Sequence, residues 1–277
     1  MIDSLRARMD QIDAAAQWRQ PEAFAHRAEL ADRLDLYLAG DAAPDEKARG
    51  QRLLDDMAAC DERLFASLRQ AIRRGEGRAA LAPWLDGQSP RGQHYDALDS
   101  LLGGVLALDE PVSDDPVPPP DMVFYQPTPA RHIVDCVQRA GIGAADTVLD
   151  LGSGLGHVAM LVNILSGART LGVEREPAYV ASAIRAASAL ELGDVRFLAA
   201  DAREIGFDGV DVVYLFTPFI GRVLAEVVAS LERAAAVRPL RIVTLGPCTR
   251  TFARLAWLQP DGETAPDRIV VFRNRAD

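Results

Sequence analysis

The run Val148-Leu149-Asp150-Leu151-Gly152-Ser153-Gly154-Leu155-Gly156-His157 joins an apolar stretch, one acid and three alternating glycines. Glycine lets a backbone bend sharply and come close to a ligand where a Cβ would collide, and a helix that opens after such a turn offers free N–H groups. The chemistry suited to this is the holding of a nucleotide-type cofactor. The spacing is GxGxG, whereas dinucleotide folds use GxGxxG, so a nicotinamide oxidoreductase is disfavoured. Two more acids follow apolar stretches. Thr170-Leu171-Gly172-Val173-Glu174 ends in an acid near the ~20-residue spacing used to grip ribose hydroxyls. Val195-Arg196-Phe197-Leu198-Ala199-Ala200 leads into Asp201. Taken singly, each carboxylate has the ordinary fate of a solvated acid or a helix cap. Together, Asp150, Glu174 and Asp201 sit at three strand ends, where open α/β sheets bind ligands.

The elements that must position these acids are legible in the hydrophobic pattern. Strands are expected near 147–151, 170–174, 195–199, 210–216 and 240–245, with helices near 156–166, 177–191 and 220–236. Such alternation implies a parallel sheet covered on both faces. The apolar runs Phe252 to Leu258 and Arg268 to Phe272 read as a closing antiparallel pair. The expected fold class is therefore α/β, a Rossmann-like, doubly wound, seven-stranded and mostly parallel sheet. Thr128 and Pro129 read as N-cap and first residue of a helix running to Ala140.

The front of the chain is different. Leu53, Met57, Cys60, Leu64, Leu68 and Ile72 recur at helical spacing, as do Leu30, Leu34 and Leu38, and a further apolar stripe runs from Asp96 to Leu108. These stripes suit the core of a bundle. The domains read as an all-α accessory domain over 1–110, a proline-rich linker over 111–120 (PVSDDPVPPP), and an α/β domain over 121–277. The helical domain also offers a face for a homodimer.

Composition narrows the function. The 277 residues are 49% apolar and 25% charged, without a run of 18 apolar residues and without a signal-peptide layout at the amino terminus, so no membrane partner and a cytoplasmic location are expected. Cys60, Cys136 and Cys248 are far apart, which suits neither a disulfide framework nor a metal site. Net charge is −10, and residues 1–120 hold 22 acids against 14 bases. Repulsion from phosphate disfavours nucleic acid as a partner, whereas a small molecule or a basic protein segment meets no such barrier.

The glycine run and its two downstream acids resemble the motifs of the class I S-adenosylmethionine (SAM) dependent methyltransferases, over roughly residues 121–277. That resemblance implies SAM as cofactor and transfer of its methyl group as activity. It implies that Asp150 orients the methionine amino group, Glu174 accepts from the ribose hydroxyls and Asp201 accepts from the adenine amino group. The cofactor-binding set implied is Tyr125, Gln126, Thr128, Asp150, Gly152, Ser153, Gly154, Gly156, Glu174, Arg175, Asp201, Ala202 and Phe216. YQPTP followed by DLGSGLGHV and GVE is most similar to the Dot1-type and ATP-synthase c-subunit type lysine methyltransferases, which implies an amine-type acceptor such as a protein lysine. A small-molecule N- or O-methyl acceptor and a non-catalytic SAM-binding module remain as alternatives.

Methyl transfer from a sulfonium is an in-line displacement that needs positioning rather than a protein nucleophile. A base matters only when the acceptor arrives protonated. Methyltransferases acting on planar amides carry (Asn/Asp)-Pro-Pro-(Tyr/Phe) after the fourth strand. Here the text is Phe216-Thr217-Pro218-Phe219, which argues against such acceptors. The residues placed nearest the chemistry are Tyr125, Thr217 and Phe219. His157 reads as a first-turn helix residue beside the loop, without a visible partner.

Overall fold

A computed structural model describes residues 5–85, 91–92, 94–111 and 121–275. The linker reading falls almost wholly on 112–120, outside the described residues. Among the described residues five α-helices precede it: α1 (Leu5–Ala14), α2 (Phe24–Leu38), α3 (Pro44–Arg73), α4 (Gly77–Leu85) and α5 (Ala97–Leu106). After it come α6 (Ala130–Ala140), β1 (Thr147–Leu151), α7 (His157–Ser166), β2 (Arg169–Glu174), α8 (Pro177–Ala189) and β3 (Val195–Ala199). The chain closes with β4 (Val212–Leu215), α9 (Gly221–Ala235), β5 (Arg241–Thr244), α10 (Thr249–Phe252), β6 (Leu258–Pro260) and β7 (Val270–Asn274).

The seven strands form one sheet in the order β3-β2-β1-β4-β5-β7-β6. All pairs among the first five strands are parallel, and β7 runs antiparallel to both β5 and β6. The expected doubly wound sheet is thus present. One boundary moves. Phe252 to Leu258 is not a strand: Phe252 ends the short α10, and pairing begins only at Leu258.

The central strands are apolar because both their faces are covered. Along β4, Val212 and Tyr214 join the cluster on one face, while Val213 and Leu215 join the cluster on the other. That alternation is the two-residue period of a strand. The first cluster also takes in Leu64, Leu68 and Ile72 of α3, Leu81 of α4 and Leu101 and Val105 of α5, so the front helices and the sheet share continuous apolar packing. Polar ties reinforce it. Arg131 of α6 has a buried side chain paired with Asp96 at 2.9 Å, and His132 Nε2 lies 2.6 Å from the Gly92 carbonyl.

The strand order reverses between β1 and β4. Sequence-consecutive helices leave the sheet in opposite directions there and open a crevice at the carboxyl ends. Asp150 pairs in register with Gly172 on one side and Tyr214 on the other, which sets its carboxyl group beneath that crevice. No described helix is long and apolar enough to cross a membrane.

Candidate cofactor site

A cavity of about 780 Å³ occupies the carboxyl edge of the sheet, spanning β1, β2 and β4. Its polar end is formed by Asp150, Gly152, Ser153, Glu174, Arg175 and Glu176. Asp150 is buried, and its Oδ2 has no hydrogen-bond partner. Burial, followed by repulsion from Glu174, pushes its carboxyl up to about 8. An unpartnered acid in a lined cavity is costly unless a cation or donor arrives to meet it. An α-ammonium group fits that need.

Glu174 works differently. Its Oε2 accepts the Gly154 backbone N–H at 2.9 Å and its Oε1 accepts the Glu176 N–H at 2.9 Å. The acid at the end of β2 therefore anchors the glycine loop and the start of the next connection, and each oxygen retains a lone pair for a ligand hydroxyl. Gly154 lies at φ +53°, and a Cβ there would stand 2.0 Å from Tyr125 Cε2. A Cβ on Gly152 would stand 2.2 Å from Pro218 Cβ. The need for glycine at these two positions is thus set by protein side chains packed onto the loop as much as by ligand approach.

Those side chains come from two segments that bridge over the crevice. Residues 121–128 run across the mouth, joined to the β4 exit by a Met122–Phe219 bridge and by Val123 N–H donating to the Pro218 carbonyl at 3.2 Å. Tyr125 rests on the loop, 3.1 Å from His157 Nδ1 through its hydroxyl, with its ring 5.2 Å from that of Tyr179. Burial raises the Tyr125 phenol well above its ordinary value, so it is a neutral donor at physiological pH. The reading of His157 as partnerless is corrected: its partner is 32 residues upstream, where no local pattern reveals it.

Thr128 is also corrected. It is buried, its Oγ1 lies 3.1 Å from the Tyr214 hydroxyl, and the N-cap position of α6 is Pro129. The first helical N–H, that of Ala130, instead donates to Asp99 Oδ1 of α5 at 2.7 Å. A capping acid reached from another helix leaves no trace in the sequence next to the helix it caps.

At the apolar end stand Phe216, Thr217, Pro218, Phe219 and Ile220 with Met122 to Phe124. Thr217 adopts φ +45°, an uncommon conformation for a β-branched residue. Its hydroxyl donates to the Leu245 carbonyl at 3.0 Å and accepts from Cys248 N–H at 3.1 Å, which commits it to the following loop. Phe219 contributes to the wall while its ring is almost wholly buried in the core beneath.

The structure brings together Tyr125, Gln126, Thr128, Asp150, Gly152, Ser153, Glu174, Arg175, Ala202, Phe216, Thr217 and Phe219 around one cavity. Gly154 and Gly156 support the loop from outside that lining. Asp201 also lies outside it. Both its oxygens engage Arg203, at 3.0 and 2.7 Å, and the Arg203 guanidinium holds the carboxyl below its usual range. His157, read from the sequence as a residue beside the loop, lines the cavity, and the lining residues that the sequence did not single out include Tyr179 and Tyr214, brought in by tertiary packing.

Residues 148–237 match the model of a protein family described as a methyltransferase domain. No curated protein matches the chain. Among solved structures it is similar to an RNA methyltransferase from Salinibacter ruber in complex with S-adenosyl-L-homocysteine, at 24% identity and TM-score 0.42, over 53% of this chain and 92% of that one. It is similar to the tRNA (uracil-54, C5)-methyltransferase of Pyrococcus abyssi at 20% identity and TM-score 0.37, over 55% of this chain and only 40% of that one. A third, a SAM-dependent methyltransferase from Thiobacillus denitrificans, is 23% identical with TM-score 0.37, over 44% of this chain and 50% of that one. The family match lies on β1 to α9, so residues 148–237 are similar to a methyltransferase domain, and the cavity at the switch point between β1 and β4 opens beside that stretch.

Proposed function

We propose that the protein transfers a methyl group to an amine-type acceptor that enters past the β4 exit, between Phe216–Ile220 and the 121–128 segment. The observation that carries this reading is the division of the cavity. One end holds Asp150, Glu174 and the glycine loop, suited to a charged and hydroxylated cofactor. The other end is apolar and aromatic, suited to a nucleophile that reacts in its neutral form.

The bound sulfonium supplies the methyl group. Asp150 receives the ammonium of the amino-acid end, and Glu174 accepts ribose hydroxyls while keeping the loop in register. Arg175 and Ala202 flank the adenine region. Asp201 would have to loosen its hold on Arg203 to accept from the adenine amino group. Phe216 and Phe219 exclude water from the acceptor channel, which disfavours the ammonium form of an amine and favours the free lone pair. Tyr125 covers the cofactor loop and, as a neutral phenol, orients rather than abstracts. Thr217 shapes the turn that presents these aromatic walls.

A protein lysine is the macromolecular acceptor that fits such a channel best. The test is methyl-labelled SAM incubated with the full chain and lysate of a strain lacking it. Label in a discrete protein band, removed by protease and retained after nuclease, supports the lysine reading. Label removed by nuclease, or confined to small molecules, overturns it.

A further inference from the structure

The two segments that border the acceptor end of the cavity pair as a short antiparallel ribbon. Val123 N–H donates to the Pro218 carbonyl at 3.2 Å, and Ile220 N–H donates to the Asp121 carbonyl at 2.8 Å, one on each side of the Met122–Phe219 bridge. Bonds to a given partner alternate along an extended strand, so the residue between two bonded neighbours turns its own N–H and C=O to the opposite edge. Met122 is that residue. Its N–H and C=O, and those of Phe124 two positions on, have no hydrogen-bond partner among the described residues. Residues 122–124 therefore offer a free strand edge, and all three line the cavity.

The side chains around that edge are apolar and open to solvent: Phe124 is 71% exposed, Ile220 48% and Val123 44%. This is not the exposure of a loose loop. The ribbon bonds hold one end of the segment, and the Tyr125 ring packed on Gly154 holds the other. A pinned, apolar strand edge beside a channel suits an extended polypeptide, which brings backbone donors and acceptors at matching spacing and side chains for the apolar surface. A small flat metabolite has no ladder to offer. A phosphate backbone has none either, and it meets a chain of net charge −10, which a lysine-bearing segment does not oppose.

Resting on the amine-acceptor reading above, we propose that the acceptor lysine arrives in an extended polypeptide segment that adds a strand to the free edge of residues 122–124, with an apolar residue within two positions of the lysine packed against Phe124. The backbone edge fixes the register of the segment, and Phe124 reads the neighbouring side chain. The lysine stem then enters the channel beside Phe216.

The probe is an array of end-blocked heptapeptides with a central lysine and the flanking positions varied one at a time, incubated with the full chain and methyl-labelled SAM. Label is expected to concentrate on peptides with an apolar residue within two positions of the lysine. On the best of them, N-methylation of single backbone amides is expected to lower kcat/KM about tenfold at alternate positions and little at those between, the signature of a ladder. Phe124→Ala is expected to raise KM for that peptide about fivefold, while S-adenosylhomocysteine affinity, read by calorimetry, stays within about twofold. Phe124→Pro, which also removes an edge N–H, is expected to cost more than Phe124→Ala. Labelling indifferent to the flanking residues, or losses on N-methylation without alternation, overturns the proposal. So does label on a lysate protein with none on any peptide, since recognition then needs a folded surface. A lysate in which no protein is labelled fails instead at the lysine reading on which the proposal rests, and takes the proposal with it.

Discussion

Glu174 accepts the backbone N–H of Gly154 at 2.9 Å across 20 residues of sequence, tying the end of β2 to the centre of the glycine loop. The acid most readily assigned to the ribose therefore also builds the loop beneath it. Glu174→Gln replaces one acceptor oxygen by an NH2 group, so either Gly154 or Glu176 loses its anchor. Binding of S-adenosylhomocysteine is expected to weaken at least tenfold, with faster hydrogen exchange at Gly154 or Glu176 in the unliganded protein. Calorimetry and exchange measured on the same sample check both parts; unchanged exchange would assign the whole loss to the ligand contact.

Asp150 makes the unliganded protein sensitive to pH. Its folded value, about 8, lies above the ordinary carboxylate value of 3.8, because burial and then Glu174 disfavour the carboxylate. Between those values the folded state binds more protons than the unfolded one, so this group's contribution to stability falls as pH rises from about 4 to about 8 and is level beyond. Asp150→Asn is expected to remove that decline, flattening thermal midpoints over the same window. The same acid should ionise when it meets a ligand ammonium. Titration of S-adenosylhomocysteine at pH 7 in two buffers of different ionisation enthalpy is expected to show proton release in the wild type and less in Asp150→Asn.

Gly154→Ala places a Cβ 2.0 Å from Tyr125 Cε2, and does so at φ +53°. The expected cost is ~1–3 kcal/mol in denaturant unfolding, the ordinary range for overpacking. Because the clash is with one ring, Tyr125→Ala in the same chain should recover part of it. Additive losses in the double variant would show that backbone conformation alone is responsible.

Asp99 carries the start of α6 although it belongs to α5. It accepts Ala130 N–H through Oδ1 at 2.7 Å and Asp96 N–H through Oδ2 at 2.8 Å. Asp99→Ala is expected to destabilise the protein by ~1–2 kcal/mol, as loss of an N-cap does. Asp99→Asn keeps one acceptor and should cost about half as much, read from urea midpoints at constant slope.

Much of the fold was legible because its signals are local. The two-residue period of buried strands, the 3.6-residue period of helices and the glycine turn at 152–156 each occupy a few consecutive positions, and the structure follows them. The exception among the strands, Phe252 to Leu258, is an apolar run too short for periodicity to separate helix from strand. Thr128 misled for a related reason: a hydroxyl residue before a proline is a good local cap, but Tyr214 in the sheet competes for it and Asp99 supplies the acceptor from elsewhere.

What the sequence determined by itself is the sheet, its carboxyl edge and the acids Asp150 and Glu174 placed there, since strand period and turn chemistry depend on neighbours in the chain. Tertiary structure alone decided how those parts are finished. It put Tyr125 on Gly154 and against His157 and turned Glu174 inward to hold the loop. Each of these depends on which side chain is left nearest a donor or acceptor once the core has packed. Residues 20 to 32 positions apart settle that competition, and no periodicity in the sequence records the outcome.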